Sequence, residues 1–411
     1  MRRSPLLPIF LIVLVDVLGL TIVIPLLAIY AESFGASPTL ASLLIPTFAA
    51  CQLLAGPVLG RLSDRHGRRP ILLISQLGTL LGFIMMAEAR SLWMVFAGRA
   101  LDGATAGNLA VAQAYIADHT PPEKRARAFG LIGIAFGLGF LVGPAVSGLL
   151  SDYDYSAPFW AAAGLSGLSI LGTWFLLPRD APTAIEPGTS RLGILEWDKY
   201  LEYFRRPVLR GLLFQFFVYM FAFTLFTGGF ALFAERHLIW DGHYFTPREI
   251  GFTFAGAGLV GALVQGGFMG KLVARLGEGR LAVAGFVSLG AGYIFLGFAE
   301  TIALLAVSTV LSAFGGSVCR PVLTSLVTQL GERSEQGALL GLTQSLSSVA
   351  AICAPPIAGV LVEHDLGPVW AWLAAAVALL GALLAPIGSQ LAQPHKAPAP
   401  ARAEPGDQGV A

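Results

Sequence analysis

The sequence predicts an all-α integral membrane protein, with twelve transmembrane helices arranged as two matched six-helix bundles. Three observations carry this. Of the 411 residues, 55% are apolar and only 12% charged, against roughly 25% charged in soluble domains. Apolar runs of about twenty residues, the length one crossing requires, recur along the chain. Markers in the first half return in the second at a displacement of 210 or 211 residues.

The runs fall at 6–30, 40–60, 70–88, 92–117, 126–150, 157–177, 208–234, 248–270, 281–299, 302–329, 337–361 and 367–390. Lipid offers no partner to free backbone groups, so each run reads as a helix. None alternates polar with apolar residues as a barrel strand does. The first run follows Arg2 and Arg3, is too long for a signal-peptide core and has no small-residue cleavage site after it, so it stays as a span. The second and third flank a charged turn, Gly60-Arg-Leu-Ser-Asp-Arg-His-Gly-Arg-Arg-Pro70, which cannot enter lipid and reads as a short loop. The fourth carries Arg99 and Asp102, the fifth a run of glycines around Pro144. After the sixth comes the longest connection, Pro-rich at its start. Its second part, Leu192–Phe204, reads either as a helix lying flat on the membrane face or as a solvated loop. The seventh run is aromatic from Phe214 to Phe233, suited to lining an apolar pocket or to facing lipid. The eighth and ninth flank a second copy of the charged turn, the tenth holds Arg320, the eleventh Pro355, and the twelfth closes the set. The expected domains are therefore 1–177, a linker 178–207, a second bundle 208–390, and a Pro-, Ala- and Gly-rich tail 391–411 that composition predicts to be disordered.

Orientation follows from Lys and Arg. With the N-terminus inside, 21 of these residues fall in inner segments and three, Arg90, Arg236 and Arg248, in outer ones. Both termini are thus expected on the cytoplasmic side. Trp93, Trp160, Trp240 and Trp370 fall near outer span ends, as in an aromatic belt. Cys51, Cys319 and Cys353 lie in apolar stretches and read as packing residues, with no disulfide or metal spacing. The net charge of +1 gives no sign of a nucleic-acid partner.

Two repeats relate the halves. Gly60-x-Leu62, Arg65 and Gly67 recur as Gly270-x-Leu272, Arg275 and Gly277; Gly130, Pro144 and Gly148 recur as Gly341, Pro355 and Gly359. The acid of the first turn, Asp64, is replaced by Ala274. Duplicated bundles are a transporter architecture, with the substrate site between halves near the midplane.

Charges inside spans are costly and mark function. Asp16, Arg99, Asp102 and Arg320 stand out. All six histidines lie in loops, at span ends or in the tail, which leaves Asp16 and Asp102 as the deep proton-exchanging groups. Arg99 and Asp102, spaced i, i+3, can pair. Arg320 can attract an anionic substrate group, pair with Asp16 or Asp102 across the interface, or snorkel from a shifted helix. Gln52, Asn108, Gln113, Gln215, Gln265 and Gln344 are candidates to line a cavity, or else bond between helices. Gly139, Gly143, Pro144 and Gly148, with Pro355 in the second half, suit close helix packing and hinge motion.

The 60–70 turn, with Gly60, Asp64, Arg65, Gly67, Arg68 and Arg69 at this spacing, resembles the signature loop of the major facilitator superfamily. Leu14-Val-Asp16-Val-Leu-Gly-Leu20 resembles the first-span motif of its twelve-span drug:proton antiporters; Arg99-x-x-Asp102-Gly103 resembles their fourth-span motif, and Gly139-x-x-x-Gly143-Pro144-x-x-x-Gly148 their fifth. Tyr115-Ile-Ala-Asp118 and Phe136-Gly-Leu-Gly139 are similar to the tetracycline-efflux branch, a likeness that spans about 10–178 well and the second half weakly. The resemblance implies proton coupling at Asp16, Arg99 and Asp102, a gate at the 60–70 turn, and export. That branch also uses a His in the eighth span and an Asp in the ninth; Gly261 and Leu289 hold those places here, so its tetracycline–metal substrate is not carried over.

The reading is a secondary active transporter in the bacterial inner membrane that exchanges amphipathic small molecules for protons by alternating access. The alternatives are an organic-anion transporter or facilitator with Arg320 as anion site, and a non-transporting membrane sensor or scaffold. No phosphate-binding loop, nucleophile–base set, metal spacing or cofactor motif is present in the sequence, so an enzyme is not expected. Nothing demands more than one chain, and a monomer is expected.

Overall fold

The computed structural model describes residues 6–120, 122–178, 202–331 and 335–389. They are helical almost throughout, with one two-stranded hairpin, Ile239–Trp240 against His243–Tyr244. Nine stretches among the described residues are long and apolar enough to cross a bilayer. One of these, Pro247–Gly297, turns at Gly277 and holds two spans; Leu7–Val23 is a shorter apolar helix. A further crossing is split into Leu92–Ala104 and Asn108–His119. The described helices therefore fit the twelve-span order.

The first span is Leu6–Val23, continued past the Pro25 turn by Leu27–Glu32; the second is Pro38–Ser42 with Leu44–His66; the third is Arg68–Ala87. The split helix is the fourth, Pro122–Ser151 the fifth, Ala157–Leu176 the sixth and Pro207–His237 the seventh. The eighth is Pro247–Leu263, running through a π turn, Val264–Phe268; the ninth runs from Gly277 to Gly297. Ile302–Gln329, Gln336–Glu363 and Gly367–Ser389 are the tenth to twelfth.

Three expectations are corrected. The 60–70 segment is not a loop: one helix runs to His66, the next starts at Arg68, and Gly67 alone, at φ 91°, reverses the chain. Glycine reaches this left-handed conformation without a Cβ clash, and long basic side chains at helix ends reach water without a loop. Gly277, 210 residues on, does the same at φ 73°. Trp370 is not in an aromatic belt: it is 0% exposed and its Nε1 donates to the Leu225 carbonyl at 2.9 Å. The seventh-span aromatics explain why, since Phe226 and Phe233 pack against Trp370 and Tyr219, Phe230 and Phe233 are buried in the same core. Most of that run is neither pocket nor lipid face. Leu192–Leu201 and the tail from 390 lie outside the described residues. The end of the linker docks on the second bundle: Tyr203 is buried, and Arg206 donates to both Glu335 carboxylate oxygens at 2.9 and 2.7 Å. That bond is the main influence holding the Arg206 guanidinium above its ordinary pKa.

Within the first bundle the first span packs on the fifth and sixth, and the third on the fourth and sixth. In the second, the ninth packs on the tenth and twelfth, and the seventh on the eleventh and twelfth. The fifth span runs along the eighth, and the second along the eleventh, to join the halves. These joints close at one end only, the end away from the 60–70 turn. There a Cβ on Gly251 would lie 2.4 Å from the Pro144 carbonyl oxygen, one on Gly258 2.4 Å from that of Phe140, and one on Gly359 2.3 Å from Ser42 Oγ. Arg248 bonds Asp152 at 3.3 Å, and the Thr39 amide donates to Glu363 at 3.0 Å. Helical spacing carries the same faces onward to Gly137 and Gly133, Gly266 and Gly270, Gly56, and Gly341 and Gly337. A Cβ at each of these would meet nothing within 4 Å. The halves are sealed at one end and apart at the basic end.

Candidate functional site

Asp16 sits midway along the first span. Its polar neighbours are Ser169 of the sixth span, Gln76 of the third and Asn108 of the fourth, and Asp102 is the charge acting on it. Gln76 Nε2 donates to Ser169 Oγ at 2.7 Å, which leaves the serine proton free to point at the carboxylate. Gln76 Oε1 and Asn108 Oδ1 are buried acceptors without a hydrogen bond. Asn108 reaches this place because the fourth span breaks at Thr105–Gly107. Thr105 Oγ1 bonds back to the Leu101 carbonyl at 2.9 Å, and Gly107 passes close to Ser75.

Arg99 and Asp102 form the expected pair, Nη1 to Oδ2 at 3.0 Å, each 3% exposed. The Arg99 guanidinium lies 4.3 Å over the Phe48 ring of the second span. Tight crossings hold the pair: a Cβ on Gly98 would meet the Gly82 carbonyl at 2.8 Å, and one on Gly103 that of Phe48 at 2.4 Å. Together Asp16, Asp102 and Arg99 place two carboxyl groups and one guanidinium inside the first bundle.

Arg320 lies apart from them, on the tenth span. Its guanidinium sits 5.3 Å over the Phe136 ring of the fifth span, so it reaches across from one half to the other. No carboxylate pairs with it among the described residues. Of the six amide side chains, Asn108 joins the Asp16 cluster. Gln265 donates to the Ser317 carbonyl at 3.3 Å, a bond between helices, and Gln215 is buried with Nε2 unbonded. Gln344 is exposed; Gln52 and Gln113 are half-buried. Sequence reasoning passed over Gln76, Ser169 and Phe48, and took Phe136 only as part of a family resemblance. A Gln and a Ser in apolar runs were a signal, but nothing local says that they turn toward Asp16.

At the basic end Arg68 is the hub. It donates from Nε to Asp118 at 2.8 Å, from Nη1 to Ser63 at 2.7 Å, and it pairs with Asp64. Arg69 bonds the Trp174 carbonyl and stacks on that ring at 5.3 Å, while Arg65 is exposed. All these contacts stay within the first half. In the second copy the sign is reversed: Glu278 accepts from Gln329 at 3.0 Å and from Ser325 at 2.9 Å. Removing Arg68 takes away the cation that bridges two carboxylates. Arg68→Ala should therefore lower the melting temperature of the detergent-solubilised protein. Asp64 and Asp118 are 24% and 30% exposed, so the loss should fall below the about 3–5 kcal/mol typical of fully buried pairs. Arg68→Lys, which keeps the charge without the fork, should lie between.

In the fifth span Gly139 and Gly143 seat the first span: Thr21 Oγ1 donates to the Gly139 carbonyl at 2.9 Å, and a Cβ on Gly143 would overlap it. Pro144 and Gly148 face the eighth span, and Pro355 receives Gly228 of the seventh.

A family model described as Major Facilitator Superfamily matches residues 9–266 and 238–410. The chain belongs to the major facilitator superfamily. Among curated members, the class C tetracycline resistance protein of Escherichia coli is 33% identical over 352 residues, covering 84% of this chain and 86% of its own. The class B protein of the same organism is 30% identical over 365 residues, 87% and 88% of the two chains. Among solved structures, the human organic anion transporter MFSD10 (TETRAN) superposes with a TM-score of 0.71 at 23% identity, over 93% of this chain and 99% of that one. The protein is thus a multi-pass membrane transporter of the superfamily, not an enzyme, and it resembles the tetracycline-efflux branch of the drug:proton antiporters.

Proposed function

We propose that this transporter exports amphipathic small molecules in exchange for protons, by alternating access between bundles 1–177 and 208–390. The observation that carries the reading is the charge balance around Asp16. Asp16, Asp102 and Arg99 put two carboxyl groups and one guanidinium inside the first bundle. Asp102 is committed to Arg99 at 3.0 Å, so Asp16 has no cation of its own among the described residues. A lone charge within a span costs several kcal/mol or more by some estimates. One bound proton makes the cluster neutral. It also supplies a donor beside Gln76 Oε1 and Asn108 Oδ1, two buried acceptors that have none. Asp16 is the proton site, and Arg99 and Asp102 set its field. Arg68 and its neighbours act as the gate, because closing the basic end brings the charged helix ends of the two halves together at a wet interface where such bonds exchange readily.

With Lys and Arg on the cytoplasmic side, the termini are inside a bacterial inner membrane and the structure is the inward-open form of a monomer. The test is a compound panel on proteoliposomes with an imposed proton gradient. Substrate movement that follows the gradient supports the reading; movement indifferent to it removes the coupling.

A second reading is favoured by Arg320, a cation over an aromatic ring with no acidic partner among the described residues, and the MFSD10 relative is named for organic anions. In it, Arg320 binds an anionic substrate group. Arg320→Gln should then weaken transport of anions more than of cations; equal losses would assign it a structural role.

A further inference from the structure

At the sealed end a second cluster bridges the halves. Glu32 ends the outer piece of the first span; Glu235 and Arg236 lie in the last turn of the seventh. The seventh span has 31 residues, about 46 Å at roughly 1.5 Å each, against a hydrocarbon core of about 30 Å. Its last turn therefore stands clear of the lipid tails. Arg236 Nη2 donates to Glu32 Oε1 at 2.7 Å, and Nη1 donates to the Leu232 carbonyl at 3.0 Å. Glu235 Oε2 is left 3.9 Å from Nη1, buried and without a hydrogen bond. The Glu32 and Glu235 carboxyl groups thus flank one guanidinium, one at Nη2 and the other near Nη1, and Glu32 is the like charge that acts on Glu235. Among the described residues, Glu32 and Arg236 are the charged groups that face Glu235. His237 turns away and stacks on Phe233 at 4.6 Å.

We propose that Glu32 and Glu235 form a proton-sharing clasp between the halves: one proton is held between the two carboxyl groups while this end is closed, and it passes to the medium on this side when the halves part. Two carboxylates in contact with one guanidinium repel each other, and a proton turns that repulsion into an O–H···O⁻ bond that gives the orphaned oxygen a partner. On separation, each carboxylate is hydrated and both ionise, so opening releases the proton. Acid on this side therefore favours closure, and alkali favours opening. This site is distinct from Asp16, which lies within one half and keeps its neighbours whichever end is open.

The test uses the full chain in nanodiscs, with its three cysteines replaced by alanine. Spin labels are placed through Tyr153→Cys and Leu366→Cys, exposed turns of the two halves at this end. Asp16→Asn in the background removes the other proton site. Distance distributions should shift from short to long as pH rises, and Glu235→Gln or Glu32→Gln should abolish the shift, leaving short distances, because the amide donates as the bound proton would. A shift unchanged in both Gln variants overturns the clasp. So does a shift already absent in Asp16→Asn alone. A failure of coupling at Asp16 reads out separately, as proton flux that survives Asp16→Asn.

Discussion

Asp16→Asn is expected to abolish substrate-linked proton movement. In proteoliposomes carrying a pH dye, addition of a transported compound should change the internal pH with the wild-type protein and leave it unchanged with the variant. The amide is isosteric with the protonated acid and can donate to the bare oxygens of Gln76 and Asn108, so the fold should be preserved. The variant is fixed in the neutral form, with Arg99 and Asp102 still paired at 3.0 Å. Downhill substrate exchange should persist, while accumulation against a gradient should fall to background. Undiminished proton movement in Asp16→Asn would remove this residue from the mechanism and leave Asp102 as the deep carboxylate to test.

The second large effect concerns the seam of the fifth and eighth spans. Gly258→Val should reduce transport at least tenfold, because its Cβ would lie 2.4 Å from the Phe140 carbonyl oxygen and 2.5 Å from the carbonyl carbon. Both contacts are backbone, which cannot swing aside as a flexible side chain can. Forcing extra carbons into such a contact costs typically about 1–3 kcal/mol, enough to shift a balanced two-state transporter away from this state. Gly256→Val on the same helix meets nothing within 4 Å and should transport normally. Labelling of a cysteine at Arg248 with an impermeant maleimide from the sealed side should increase in Gly258→Val and not in Gly256→Val. Equal transport by the two variants would show that the seam need not close.

What the sequence disclosed, and what it did not, divides along physical lines. Apolar run lengths are local sums, and they placed the helices to within a few residues. The i, i+3 spacing of Arg99 and Asp102 declared their pairing, because a helix sets that distance by itself. The 60–70 turn was read too long because charge density resembles a loop, whereas one positive-φ glycine was enough. Trp370 was misplaced because its environment is made by the seventh span, far away in the chain. Asp16 stood out as a charge, but its partners Gln76, Ser169 and Asn108 come from three other helices. Arg320 over Phe136 joins opposite halves, a contact no periodicity encodes.

The one-sided seal also shapes the electrical environment. Where the bundles stand apart, water entering between them would carry the bulk potential into the molecule; where glycine backbones touch carbonyls, the insulating layer would be thin. The membrane voltage then falls mainly across that short barrier instead of over the full bilayer. A proton crossing the barrier to Asp16 would collect most of the available drop, about 2.3 kcal/mol per 100 mV. In this conformation, an energised membrane would act on the proposed proton site at Asp16 chiefly through that narrow strip.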